Sequence, residues 1–162
     1  MIRIPALVGC TVLLVFGGFG AGPGDGRPVQ GSLEEALPAD GRPALLVFFS
    51  TNCPACFDDL LEMAAFVRRN QIDLPIVGVC GDPEADIEAF VEKYSLRHPV
   101  VRDGRARIRR RLKVDLLPYK IVLTGGEEVY RDDYHLPLGE RSRRAQRCLM
   151  ELSAGSRSGS RS

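Results

Sequence analysis

Cys53-Pro54-Ala55-Cys56 sets two thiols one helical turn apart, directly after the apolar run Ala44-Leu45-Leu46-Val47-Phe48-Phe49. A short apolar run reads as a buried strand and Pro54 as a first helical residue, so the pair falls at a strand-to-helix junction. Unpaired backbone N–H groups and aligned peptide dipoles at a helix start favour a negative charge and lower a thiol's pKa. Cys53 then serves as the attacking thiolate, and Cys56, one turn further in, can resolve a mixed disulfide formed on Cys53. Zinc also uses this spacing but needs a second pair of ligands, whereas Cys80, Cys148, His98 and His135 stand alone. The reading is redox chemistry, with no metal and no cofactor beyond the redox-active disulfide Cys53–Cys56 itself.

Cys80 closes the apolar run Leu74 to Cys80, at the strand end where sites gather in α/β sheets. It is a possible extra redox thiol, or a buried free cysteine. Cys148 can bridge Cys80 or pair with another molecule; no spacing rule decides between them. His98 and His135 read as surface or capping residues. The arginines at 102, 105, 107, 109, 110 and 111, and those at 141, 143, 144 and 147, read as solvated helix faces.

The elements that hold the pair follow from the same residues. Ser32-Leu33-Glu34-Glu35 has the form of a capping box, opening a short helix that ends before Pro38. Ala44 to Ser50 is the first strand and Pro54 to about Arg69 the first long helix, with Asp58 and Asp59 placed by the helix dipole. Leu74 to Cys80 is a second strand, residues 82 to about 94 a helix, and Pro99 to Asp103 a short edge segment. Strand, helix, strand, helix implies parallel pairing with right-handed crossovers. Residues 105 to 113 form a basic helical piece. Tyr119 to Leu123, the turn Thr124-Gly125-Gly126 and Glu127 to Tyr130 form a hairpin, and residues 139 to about 152 a last helix. The expected fold is α/β, a central mixed sheet of four to five strands flanked by helices on both faces.

With 162 residues, 44% of them hydrophobic, the chain suffices for one globular domain. Its formal net charge of +1 gives no global field for nucleic acid. Arg3 precedes an uncharged, mostly apolar run from Ile4 to Ala21 that reads as a signal peptide over residues 1–22, or as an uncleaved membrane anchor. Cys10 lies inside that run, which argues against lipidation there. Residues 23–31 read as a flexible linker, 32–152 as the domain and 153–162 as a disordered Ser/Gly/Arg tail. The domain is expected outside the cytoplasm, periplasmic or anchored to the outer side of a membrane, where disulfides persist.

The stretch Val47 to Cys56, together with Val114-Asp115-Leu116-Leu117-Pro118-Tyr119-Lys120-Ile121-Val122-Leu123 and the Gly125-Gly126 hairpin, resembles the thioredoxin-like superfamily. The likeness is to its exported thiol-disulfide oxidoreductases of the TlpA and redoxin type, and it spans most of residues 32–152. The resemblance implies that Pro118 is the cis-proline facing the cysteine pair. It also implies that Asn52, Pro54, Ala55 and Leu117 line the substrate groove, with the Leu117 backbone open to an extended partner chain. Relatives usually carry tryptophan before the first cysteine, where this chain has Asn52, and thioredoxins a buried aspartate where it has Val47. Proton transfer at Cys56 is therefore left to water or to a residue such as Asp115 or Glu62. The implied partners are protein disulfides or dithiols and a membrane-linked or soluble electron donor, with no nucleic acid, and the implied state is a monomer. The uncharged Pro-Ala insert points to a reductant. A peroxiredoxin-like peroxidase, a Sco-type copper-delivery module and a non-catalytic interaction module are the other readings. The first wants threonine three residues before its cysteine, where Thr51 lies two before Cys53, and the second wants three residues between its cysteines and a histidine late in the domain, where only Pro54 and Ala55 lie between Cys53 and Cys56.

Overall fold

The computed structural model describes residues 28–29 and 32–158; the expected signal segment, most of the expected linker and residues 159–162 lie outside the described residues. In chain order the elements are β1 (Pro28–Val29), α1 (Leu33–Ala36), β2 (Ala44–Phe49), α2 (Pro54–Arg69), β3 (Ile76–Cys80), α3 (Glu84–Tyr94), β4 (Val100–Arg102), α4 (Arg107–Arg111), β5 (Tyr119–Thr124), β6 (Glu127–Arg131) and α5 (Leu138–Ser158). They build one mixed sheet in the order β1-β4-β3-β2-β5-β6. β1, β4, β3 and β2 run parallel, and β5 and β6 are antiparallel additions on the other side of β2.

β2 is buried along its whole length because helices cover both faces of the sheet, which is why its sequence is apolar without alternation. Successive side chains still point to opposite faces. Leu45, Val47 and Phe49 join the core packed by α2, α3 and α5, while Leu46 and Phe48 join the layer that includes Leu33 and Ile108. Gly78, the β3 partner of Val47, must lack a side chain: a Cβ there would come within 2.8 Å of the Phe49 ring. That ring packs on Phe90 of α3 at 5.5 Å between centroids, which draws α3 towards the sheet beside the start of α2. The β5–β6 turn uses Gly125 and Gly126, both at positive φ (60° and 85°), as a tight hairpin requires.

Three expectations need correction. Pro28–Val29 is no part of a linker: it pairs in parallel with Val100–Val101, so β4 is not the edge of the sheet. An open strand offers unpaired N–H and C=O groups, and even a two-residue segment gains by meeting them. At the other end, the tail does not begin at 153, because α5 runs on to Ser158. Extending a helix adds a hydrogen bond for each residue fixed once the nucleus exists, and Ser153 is buried with its hydroxyl donating to the Met150 carbonyl at 2.9 Å. Lastly, Asp58 and Asp59 lie beyond the first turn of α2, which holds no acid, and Asp59 is 2% exposed whereas Asp58 is exposed, so the helix dipole does not account for Asp59.

Candidate active site

Cys53 and Cys56 form a disulfide with their Cα atoms 5.2 Å apart. Cys53 is the N-cap of α2, in extended conformation (φ −113°, ψ 100°), and Pro54 follows at the first helical position. Its sulfur takes the place of a capping oxygen, accepting the Cys56 amide at 3.2 Å. An acceptor at a helix start is a group on which negative charge is stabilised. The two sulfurs differ in access: Cys53 is half-buried, and Cys56 is fully enclosed against the α2 core. Asn52, Pro54 and Ala55 around them are exposed.

The loop into the pair is tied down by Asp82. Its Oδ2 accepts the Thr51 amide at 2.6 Å, the Thr51 hydroxyl at 2.7 Å and the Ser50 hydroxyl at 2.9 Å. Burial acts to raise the Asp82 carboxyl, but the hydrogen bonds from Thr51 and Ser50 outweigh it and hold the group below its ordinary value. Asn52, last before Cys53, donates its amide to the Ser50 hydroxyl at 3.3 Å. On the α3 side, Phe57, Phe90 and Tyr94 pack together, Phe57 and Tyr94 with tilted rings 4.0 Å apart and Phe90 edge-on to both, below an open depression of about 250 Å³ whose walls include Asn52 and Lys93.

The Leu117–Pro118 bond is cis. Pro118 is buried, Leu117 is half-buried against the core cluster that Cys53 also touches, and Leu116 stands 59% exposed beside it. The loop before the proline is held from two sides. Tyr134's hydroxyl accepts the Asp115 and Leu116 amides at 2.6 and 3.2 Å, and Arg109 donates to the Val114 and Asp115 carbonyls at 3.3 and 3.2 Å. Arg109 is thus committed to the loop rather than to a solvated face.

Below the pair lies a cluster that sequence reasoning missed. Lys120 Nζ, fully buried, donates to Asp59 Oδ1 and Oδ2 at 3.0 and 2.7 Å and lies 3.0 Å from Asp132 Oδ2. Ser142 adds its hydroxyl to Asp59 at 2.7 Å, and Tyr130 its own to Asp132 at 2.7 Å. Arg141, read from sequence as part of a solvated face, instead donates to the Pro118 carbonyl at 2.9 Å and reaches Asp132 at 3.5 Å. Neither residue suggested as a proton carrier joins this cluster: Glu62 is exposed and accepts from Gln146 at 2.8 Å, and Asp115 is exposed on the loop.

Cys80 is buried and free, and burial pushes its thiol up to about 12, so it stays protonated. That favours the inert reading of this residue over a third redox thiol. Cys148 is also free, half-buried on α5, its thiol raised by burial and by nearby Glu151. Half-buried His98 is held below its usual value by burial, and His135 is exposed. Among the described residues no group of three or more His, Cys, Asp or Glu converges as metal ligands, and no helix is long and apolar enough to cross a membrane.

The profile of the AhpC/TSA family matches residues 23–128. No curated protein matches the chain. Among solved structures it is similar to an uncharacterised thioredoxin-like protein from Porphyromonas gingivalis, with a TM-score of 0.60 and 21% identity over 73% of this chain and 80% of that one. A secreted Mycobacterium tuberculosis disulfide oxidoreductase homologous to E. coli DsbE matches at a TM-score of 0.51 and 22% identity, over 64% of this chain and 81% of that one. Xanthomonas campestris peroxiredoxin Q matches at 0.56 and 17%, over 68% and 79%. At these identities the neighbours establish the thioredoxin-like fold.

Proposed function

Because the chain belongs to the AhpC/TSA family and is a thioredoxin-like oxidoreductase, we propose that it exchanges disulfides with proteins outside the cytoplasm through Cys53 and Cys56, acting as a reductant. The observation that carries this reading is the disulfide at the start of α2, one sulfur half-exposed and the other enclosed.

In the dithiol form, the Cys53 thiolate attacks a substrate disulfide. One Cys53–substrate bond forms, the substrate S–S bond breaks, and the first substrate sulfur leaves and takes up a proton. Cys56, losing its proton, then attacks Cys53, and the second substrate sulfur departs as a thiol. Two electrons and two protons pass to the substrate, and the protein is left as the disulfide seen here. A dithiol donor, membrane-linked or soluble, must restore it. Leu117 and the exposed residues Asn52, Pro54 and Ala55 line the groove in which a partner chain lies, and Pro118 forms its floor. The reading needs no cofactor beyond the cysteine pair, and a monomer suffices for it. Export is supported by the apolar run Ile4 to Ala21 and by likeness to a protein described as secreted.

The test is to reduce the protein, offer it a disulfide-bonded protein substrate, and follow its equilibrium with glutathione. A potential near that of thioredoxin, about −270 mV, supports a reductant, and one near that of DsbA, about −120 mV, an oxidant. The family match and the peroxiredoxin Q likeness favour peroxide reduction as the second reading. Against it, the Thr51 hydroxyl is engaged by Asp82 and lies only two residues before Cys53. Rapid peroxide consumption by the reduced protein, with no reduction of protein disulfides, would replace the first reading by the second. Copper titration that produces a thiolate absorbance would instead favour a binding module.

A further inference from the structure

Position 120 is where a chain with this fold has most reason to place an apolar side chain. Its neighbours on β5, Tyr119, Ile121 and Val122, are buried, and its cross-strand partner is Val47. Among the described residues Lys120 is the one cation with no exposed surface. Taking ions out of water costs several kcal/mol each even when they are paired, and apolar residues of similar volume often serve stability as well or better. The lysine therefore calls for a reason other than stability.

Its contacts supply one. Asp59, which binds the ammonium with both oxygens, lies three residues after Cys56 on the same buried face of α2, so the two side chains are neighbours on the helix surface. Asp132, the second carboxylate, accepts the Lys120 amide at 3.1 Å and faces Arg141, which holds the Pro118 carbonyl. One ammonium therefore joins the cysteine helix to the proline loop, the two walls of the groove. We propose that Lys120 is a positioning residue for the redox pair: it anchors both walls and offsets the negative charge of Asp59 beside Cys56, thereby setting the balance between dithiol and disulfide. The proposal rests on the oxidoreductase reading above.

The other charged and titratable groups around the pair, Asp82 at the entering loop, Arg141 on α5 and Tyr130 on β6, stay constant in the test. The full chain is equilibrated with glutathione redox buffer, and the thiol–disulfide equilibrium is measured for wild type, Lys120→Met and Asp59→Asn, with circular dichroism to verify folding. Removing the ammonium leaves the Asp59 carboxylate beside Cys56 without its counter-ion, disfavours thiolate and shifts the equilibrium towards disulfide. Removing the Asp59 charge leaves the ammonium less compensated and shifts it towards dithiol. Each shift is expected on the order of tenfold, as for a unit charge about one helical turn away.

Opposite signs are the signature, since loosened packing has no cause to reverse sign between the two variants. Shifts of the same sign, or none in folded variants, overturn the proposal. Asp59→Asn keeps the size and one acceptor oxygen for Lys120, so it decides alone should Lys120→Met fail to fold: a shift towards dithiol supports the proposal, and an unchanged equilibrium overturns it. A wild-type pair that never equilibrates with glutathione overturns the oxidoreductase reading and this proposal with it. A wild-type pair that equilibrates while the variants stay unmoved overturns this proposal only.

Discussion

Cys80 and the Cys53–Cys56 pair belong to the same end of two neighbouring parallel strands: Cys80 is the β3 partner of Phe49, and Cys53 follows Phe49 by four residues. Their surroundings are opposed. Cys80 ends its strand inside the core, with desolvation and the charge of Asp82 against ionisation. Cys53 has left its strand, caps a helix and reaches solvent. The comparison teaches that the strand end alone confers no reactivity. A helix start that welcomes negative charge and a route for a partner sulfur do, and the Asp82 loop fixes both for Cys53 while denying them to Cys80.

The largest effect should come from exchanging the two roles by mutation. Cys53→Ala is expected to lower the rate of disulfide reduction on the order of a thousandfold or more, because no other described thiol is both at a helix start and within reach of solvent, Cys56 being fully enclosed. Cys80→Ala should leave that rate unchanged and cost only ~1 kcal/mol of stability, measured by denaturant titration. A large rate loss in Cys80→Ala would break the contrast.

Alkaline stability sharpens it further. The Cys80 thiol is raised in the folded chain from its ordinary value to about 12, so its contribution is whole below the unfolded value and is lost as pH climbs from about 9 towards 12, where the unfolded chain binds fewer protons. Wild type should therefore lose stability over that window more steeply than Cys80→Ala, as chemical denaturation at a series of pH values would reveal. Equal slopes would mean that Cys80 is not held protonated.

A smaller effect is expected at the loop. Asp82 titrates below its unfolded value, so it stabilises the fold at neutral pH and that contribution fades as pH falls through the folded value. Asp82→Asn should flatten the acid limb of the stability curve, and it should also slow disulfide exchange by releasing Thr51. A variant with the wild-type acid limb would remove Asp82 from the account of how the pair is held.

What was legible in the sequence was local. The apolar run of β2, Pro54 at the first turn of α2 and the Gly125-Gly126 hairpin are each decided within a few residues, and each is found where expected, while the cis bond before Pro118, which the family resemblance implied, is also present. What escaped is set by distant partners. β1 exists because β4 offers it an edge, and nothing in two residues announces that. The charge cluster joins positions 61 and 12 residues away from Lys120, so no window of sequence contains it. A signal was nevertheless present: a lysine inside Tyr119 to Leu123 must find a counter-ion if the strand is buried, and Asp59 falls on the apolar stripe of α2 with Cys56, Leu60 and Met63. Following that conflict to Asp59 would have placed the aspartate inside the domain.

The central claim, that exchange occurs at Cys53 and is resolved by Cys56, is tested most directly by trapping. Cys56→Ser, reduced and offered a disulfide-bonded protein, should accumulate a covalent adduct that mass spectrometry places on Cys53 and that vanishes on adding reductant. An adduct carried by Cys80 or Cys148, or no adduct while turnover persists, would contradict it.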